Sequence, residues 1–280
     1  MEKEKKKKAT YTLPDFITQD NFSNYILPYL TVGSRGPKPY MESHTIVNAI
    51  FKVLSSGGSW KILDGFELDG VKLKSSTIYY HYVQWVNDGC FQTMFEETLK
   101  VFLCNNMRDT LIIDSTYIRG FKNQELVDYS GYKKMNCTKF HSLTTEDNII
   151  AKPFCFEMGN NSDYENIHLY QETLTSMRDG FGEEAYLLAD AGYDSKEMKD
   201  ACYAAGFTPV ININNRNSKI KRQLEEPEAT IYKKRRRIES TFSWMKKYKG
   251  IRMRIDRKLT HWMSKVYFAA FLVNMRLLFV

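Results

Sequence analysis

Leu111-Ile112-Ile113-Asp114-Ser115-Thr116 sets three consecutive apolar side chains directly before a carboxylate. A short apolar run followed by polar residues reads as a strand buried in a sheet, with the aspartate emerging where the strand ends. Ala185-Tyr186-Leu187-Leu188-Ala189-Asp190 repeats the device later in the chain. Between the two, Thr138 to Thr145 and Ile149 to Met158 read as a hairpin around Glu146-Asp147-Asn148, and Tyr164 to Met177 reads as a helix. After Asp190 come a helix from Ser195 to Ala205, stopped at Gly206, and a strand from Thr208 to Ile213. The order strand, hairpin, helix, strand, helix, strand, helix predicts a mixed α/β layer fold. Its acidic residues stand at strand ends, where an open sheet presents its ligands.

Upstream of Cys104 to Asp109 the pattern is helical. Met41 to Leu54 spaces Ile46, Ile50 and Val53 as a helix face and stops at Ser55-Ser56-Gly57-Gly58. Ser75 or Ser76 caps a second helix through Ile78, Tyr82 and Trp85 that stops near Gly89. With Trp60 in their connection, these two helices could form a helix-turn-helix, although the aromatics serve equally as core. Val266 to Val280 is the most apolar stretch, too short to span a bilayer comfortably and interrupted by Asn274 and Arg276, so it reads as a buried terminal helix. The expected organisation is a basic disordered tail (1–13), a small helical domain (14–105) and a larger α/β domain (106–280).

Composition narrows the class. The 280 residues are 43% hydrophobic and 14% aromatic, ample for a buried core. Net charge is +7, yet the segment from Asn212 to Lys265 holds 17 Lys and Arg against 5 Asp and Glu, a charge of +12, which leaves −5 for the rest. Basicity concentrated in one folded segment is the footprint of a protein that holds a polyanion, or of a solvated helix face. The five cysteines are dispersed with no Cys-x-x-Cys pair, which excludes a zinc ribbon and fits a reducing intracellular setting. The lysine-rich start, with no apolar run behind it, reads as neither a signal peptide nor an anchor.

A single strand-end aspartate is usually a cap. Two that converge repel one another unless a cation compensates, which favours a divalent metal. A third carboxylate is Glu239, in a helix that begins near Tyr232: at 100° per residue Tyr232, Arg235, Glu239, Ser243 and Lys246 share one stripe, beside an apolar stripe of Ile231, Ile238, Phe242 and Met245. The same pattern also describes an ordinary amphipathic helix with an Arg to Glu pair.

The spacing Tyr, two residues, Arg, three residues, Glu, six residues, Lys resembles the signature of DDE transposases in the insertion sequence 4 and 5 groups. Tyr232, Arg235, Glu239 and Lys246 match every position of it. Ile112 to Thr116 is similar to that family's first catalytic segment, and Leu188-Ala189-Asp190-Ala191-Gly192-Tyr193-Asp194-Ser195 to its second. The likeness runs from about Phe22 to the C-terminus, includes Trp60 and Thr77 to Trp85, and has no long insertion before the Glu239 helix, as in the insertion sequence 5 group. The chain departs from the pattern at Ser130-Gly131-Tyr132-Lys133-Lys134, where glycine and arginine are usual, and at Ala191, where a basic residue is common.

The resemblance implies a ribonuclease H-like mixed sheet with flanking helices, preceded by the small helical domain, in which Asp114, Asp190 and Glu239 hold two Mg²⁺ ions, with Mn²⁺ as a possible substitute. Two such ions suit in-line displacement at phosphorus, by which a transposase cuts the ends of its element and joins them to target DNA without ATP. Arg235, Arg236, Lys246 and, more weakly, Lys139 are the expected phosphate contacts, with Tyr232 against a terminal nucleotide. The implied partners are element ends, target DNA and further copies of the chain, as a homodimer or higher oligomer, with no membrane. Two other functions remain open: a DNA-binding descendant that no longer cuts, and a nuclease on the same fold that cuts without joining. Asp194, just before a helix, reads as an N-cap, and His141 and His168 as structural or near DNA, because hard cations prefer oxygen.

Overall fold

Leu111, Ile112 and Ile113 are fully buried at the centre of the sheet in the computed structural model, which describes residues 16–32, 41–68, 70–104, 108–161, 166–215 and 223–276. The helical half contains α1 (Gln19–Tyr25), α2 (Ser43–Ser56), a two-stranded hairpin β1 (Glu67–Leu68) and β2 (Val71–Lys72), α3 (Ser75–Asn87) and α4 (Cys90–Cys104). The α/β half contains β3 (Arg108–Arg119), β4 (Asp128–Ser130), β5 (Met135–Thr145), β6 (Ile150–Met158), α5 (Ile167–Met177), β7 (Phe181–Ala189), α6 (Lys196–Ala204) and β8 (Thr208–Ile211). It closes with α7 (Glu228–Tyr232), α8 (Arg237–Met245), α9 (Lys249–Arg252) and α10 (Leu259–Met275). The expected tail (1–13) lies outside the described residues.

The sheet is mixed. β3 pairs antiparallel with β5 and parallel with β7, β7 pairs parallel with β8, and the outer edge of β5 pairs with β4 and then β6. The order β6-β5-β3-β7-β8 is that of a ribonuclease H-like sheet. β5 is buried continuously from Cys137 to Thr145 because both its faces are covered, so polar side chains on it must find partners inside the protein.

The terminal helix is buried on all sides, as its composition predicts. Its one amide in the apolar run is used: Asn274 Oδ1 accepts from the Ile150 amide and Nδ2 donates to the Ile150 carbonyl, both at 2.9 Å, closing the edge of β6. α10 also packs on α4, and one continuous apolar core runs through the helical and α/β halves. The two halves also meet at α2 and α9. Gly57 ends α2 at φ +66°, where a Cβ would sit 2.8 Å from Lys249, and a Cβ on Gly250 would sit 2.9 Å from the Leu54 carbonyl oxygen.

Three local expectations change. α2 and α3 are separated by a 3-10 turn at Trp60–Leu63 and the β1–β2 hairpin, so they do not form a tight helix-turn-helix. Trp60 instead packs against Tyr79 and Tyr82, with ring centroids 5.3 and 4.8 Å away. Neither Ser75 nor Ser76 caps α3: Lys74 is the cap residue, and Asp64 accepts from the Ser75 amide (2.8 Å) and hydroxyl (2.9 Å). The basic helix starts upstream of Tyr232 as α7 and tightens to a 3-10 turn over Lys233–Arg236 before α8. Among the described residues no helix is long and apolar enough to cross a membrane.

Candidate active site

β3 and β7 run parallel with Ile112 beside Leu188, so two residues further on the same register sets Asp190 beside Asp114. Adjacent strands lie about 4.8 Å apart, and residues two apart share a face, so both carboxylates leave the sheet together where β7 ends. Each is held from its own backbone: Asp114 Oδ1 accepts from the Ser115 amide and Asp190 Oδ1 from the Gly192 amide, both at 2.8 Å. Asp190 is therefore also the cap of a 3-10 turn, Ala191–Tyr193.

The turn is anchored from below. The Tyr193 hydroxyl meets His141 Nδ1 at 2.7 Å, and His141 Nε2 meets Glu157 Oε1 at 2.8 Å. Lys139 Nζ lies 2.9 Å from the same Glu157 oxygen and donates to the Asn161 carbonyl at 2.7 Å. His141, Cys155 and Glu157 bring three ligand atoms together, but the Lys139 ammonium already supplies the cation there. Burial pushes the Glu157 carboxyl up, and hydrogen bonds from His141 and Lys139 more than offset it, holding it below the usual carboxylate range.

Glu239 comes from α8. Ile238, Thr241, Phe242 and Met245 are buried, Phe242 edge-on to Phe140 at 6.1 Å, and Thr241 Oγ1 lies 3.1 Å from Thr144 Oγ1, so α8 is fixed on the sheet with Glu239 outside the packed face. Asp114, Asp190 and Glu239 all line one open cleft of about 1480 Å³, together with Thr116, Tyr117, Tyr132, Lys133, Arg235 and Lys246. Their carboxylates do not all converge within 4.8 Å of one another. Arg235 occupies the space between: Nη1 donates to Asp114 Oδ2 at 2.8 Å and Nη2 lies 3.8 Å from Glu239. The 3-10 turn puts Arg235 and Tyr232 on one side, 5.9 Å from guanidinium to ring centroid.

The electrostatics match the geometry. Burial raises the Asp114 pKa, the neighbouring Asp190 raises it further, and Arg235 only partly reverses this. Burial alone would lower the Arg235 pKa, but Tyr232, Asp114 and Asp190 outweigh it and hold the guanidinium charged. Lys246 donates to the Thr116 hydroxyl; burial and then the cations Lys133 and Arg252 lower its pKa. An all-oxygen set whose buried member is already destabilised as an anion fits a hard divalent cation.

Of the residues expected at the site, Asp114, Asp190, Glu239, Arg235 and Lys246 meet in the cleft. Tyr232 is half-buried behind Arg235, and Arg236 is exposed outside the cleft lining. Lys139 is a correction. It is 0% exposed and paired with Glu157, so it reaches no phosphate. Asp194 is also not the N-cap, which is Ser195, accepting from the Met198 amide at 3.1 Å. Asp194 instead holds Lys199 at 2.6 Å and accepts from the Asn214 amide at 2.8 Å. His168 is exposed and lies outside the cleft lining. Thr116, Tyr117, Tyr132 and Lys133 also line the cleft: Thr116 belongs to the segment similar to the family's first catalytic segment and Tyr132 and Lys133 to the Ser130–Lys134 stretch that departs from the family's pattern, whereas nothing in the sequence singled out Tyr117.

Curated proteins give no match. Among solved structures, the chain is similar to a piggyBac transposase in a synaptic complex with hairpin DNA, at 9% identity and TM-score 0.47 over 94% of this chain and 72% of that one. It is also similar to the Mos1 mariner paired-end complex with Mn, at 9% identity and TM-score 0.26 over 89% and 82%. Likenesses this distant carry no argument. Residues 105–272, which hold all three carboxylates and more than half of the sequence, match the family described as transposase DDE domain, and the chain belongs to that family.

Proposed function

We propose that this transposase cuts and joins DNA at Asp114, Asp190 and Glu239, acting first at the ends of a mobile element and then on target DNA. The observation that carries the reading is the side-by-side emergence of Asp114 and Asp190 from parallel strands into a cleft lined by Glu239, Arg235 and Lys246. The three carboxylates would hold two Mg²⁺ ions, with Mn²⁺ as substitute. When bound, such ions supply charge neutralisation at both the attacking and the leaving oxygen of an in-line displacement at phosphorus.

The chain's own residues do the rest. α8, locked to the sheet by Ile238, Phe242 and Met245, holds Glu239 in position, and the Gly192 amide with the Tyr193–His141 contact steadies Asp190. Arg235 neutralises Asp114 and is available to a phosphate when Asp114 is otherwise compensated. Lys246 and Arg236 add phosphate contacts, and Tyr232 orients Arg235 toward the end nucleotide. Residues 14–105 would contribute element-end binding, supported by the exposed Lys61, Lys72 and Lys74 around α3. Two ends call for two active sites, hence a dimer or larger assembly on DNA, working in the intracellular compartment that holds the DNA.

The test incubates the full chain with duplex carrying the sequences that flank its gene, and with supercoiled target plasmid, in Mg²⁺ or Mn²⁺. Cleaved ends and joined products that vanish with EDTA are expected. DNA bound but uncut in both ions, or ends cut and never joined, would overturn the proposal in favour of a binding protein or a nuclease.

A further inference from the structure

We propose that Tyr132, Tyr117 and Lys133 form a stacking platform for an unpaired nucleobase at the lip of the cleft. The proposal rests on the reading of that cleft as a DNA-processing site and names the form of DNA it takes. Tyr132 is 75% exposed, more than any other large hydrophobic side chain among the described residues. A ring this open keeps aromatic surface that a stacked partner can cover. It is not on a loose loop: Tyr132 lies in the turn joining β4 to β5, where the ladder pairs Asp128–Ser130 with Met135–Cys137 and the Lys133 amide donates to the buried Ser130 hydroxyl at 3.3 Å. The turn closes through Lys134 at φ +53°.

Beside it stands Tyr117 of β3, centroid to centroid 6.5 Å with the rings tilted at 56°, so they do not stack face to face. The Lys133 ammonium lies 4.4 Å from the Tyr132 centroid and 5.0 Å from that of Tyr117. A cation over a ring holds that ring in place and offers a charge to a phosphate attached to whatever stacks on it. All three residues line the cleft that holds Asp114, Asp190 and Glu239, so the group that covers them is whatever the cleft binds. Tyr117 follows Asp114 by three residues on one strand, roughly 10 Å along it.

The ligand class follows from these groups. Flat π surface beside an ammonium fits a base with its phosphate, and inside a duplex both faces of every base are covered by its neighbours. An unpaired base offers both its faces to the platform, where a duplex offers only the outer face of its terminal pair. A protein partner would have to enter the same cleft, and its negative walls and flanking cations suit phosphates and their counter-ions better.

The experiment measures binding of the full chain, in EDTA so that nothing is cut, to a labelled thymidine oligonucleotide and to an abasic strand of equal length. The native chain should prefer the base-bearing strand, Tyr132→Phe should keep that preference, and Tyr132→Ala should reduce it by about fivefold or more while leaving abasic affinity unchanged. A preference that survives Tyr132→Ala, or an equal loss on both strands, would overturn the platform. Because no metal is present, a negative result here leaves the cutting reading standing, and an uncut substrate in the metal assay leaves this result readable.

Discussion

Removing the Lys139 ammonium should destabilise the protein and leave DNA binding by the folded chain intact. Lys139 and Glu157 are 0% and 4% exposed and lie 2.9 Å apart, so Lys139→Ala leaves a buried carboxylate short of its nearest cation. Breaking a buried pair from one side costs about 3–5 kcal/mol. The Glu157 carboxylate still receives His141 Nε2 and Asn166 Nδ2, each at 2.8 Å, which argues for the lower figure, about 3 kcal/mol. In a chain of this length that is a fall of roughly 6–12 °C in Tm. Acid should erase the gap. The Glu157 carboxyl is held below its usual value of 4.5, so its contribution is full above that value and is lost as pH falls through the lower, folded-state pKa. Scanning calorimetry across pH, paired with DNA-binding anisotropy at temperatures where both proteins are folded, measures both effects. An unchanged Tm with weakened DNA affinity would refute the reasoning and return Lys139 to the DNA interface.

Asp194→Ala gives up the Lys199 pair and the acceptor of the Asn214 amide, and should cost about 1–2 kcal/mol by urea unfolding. Gly250→Ala should cost about 1–3 kcal/mol in the same measurement, because its Cβ meets the Leu54 backbone at 2.9 Å and backbone cannot step aside; a neutral substitution would mean that α2 and α9 are less closely docked. Affinity for duplex DNA should fall steeply with salt, and Lys246→Ala should reduce the slope of log K against log salt by about 0.9; an unchanged slope would remove Lys246 from the phosphate contacts.

The strands were legible because Leu111 to Ile113 and Ala185 to Ala189 are apolar on both faces, a pattern that survives any tertiary arrangement, and their terminal aspartates followed directly. Glu239 was legible only through the resemblance of its spacing to Tyr232, Arg235 and Lys246 to the transposase signature, because the helical stripe alone describes an ordinary amphipathic helix equally well. Lys139 was not, because a lysine in a β pattern looks like a surface residue until the strand is known to be covered on both sides. The cap at Asp194 failed by one residue, since two neighbouring side chains, Asp194 and Ser195, can each accept from a helix start and only their backbone angles separate them. The shared core was invisible for another reason: the return of α10 to α4 spans most of the α/β half, and no local pattern encodes so distant a contact. The same holds for Tyr117 and Tyr132, which the β3 and β5 pairing brings together.

The most direct test of the active-site assignment compares Asp114→Ala, Asp190→Ala, Glu239→Ala, their triple combination and Asp194→Ala on end-containing duplex with Mg²⁺ or Mn²⁺. The three single variants should fold, bind DNA and cut no more than the triple variant, because ligands acting as one unit are not additive, while Asp194→Ala should still cut. An Asp190→Ala protein that cuts beside a folded Asp194→Ala protein that does not would contradict the assignment.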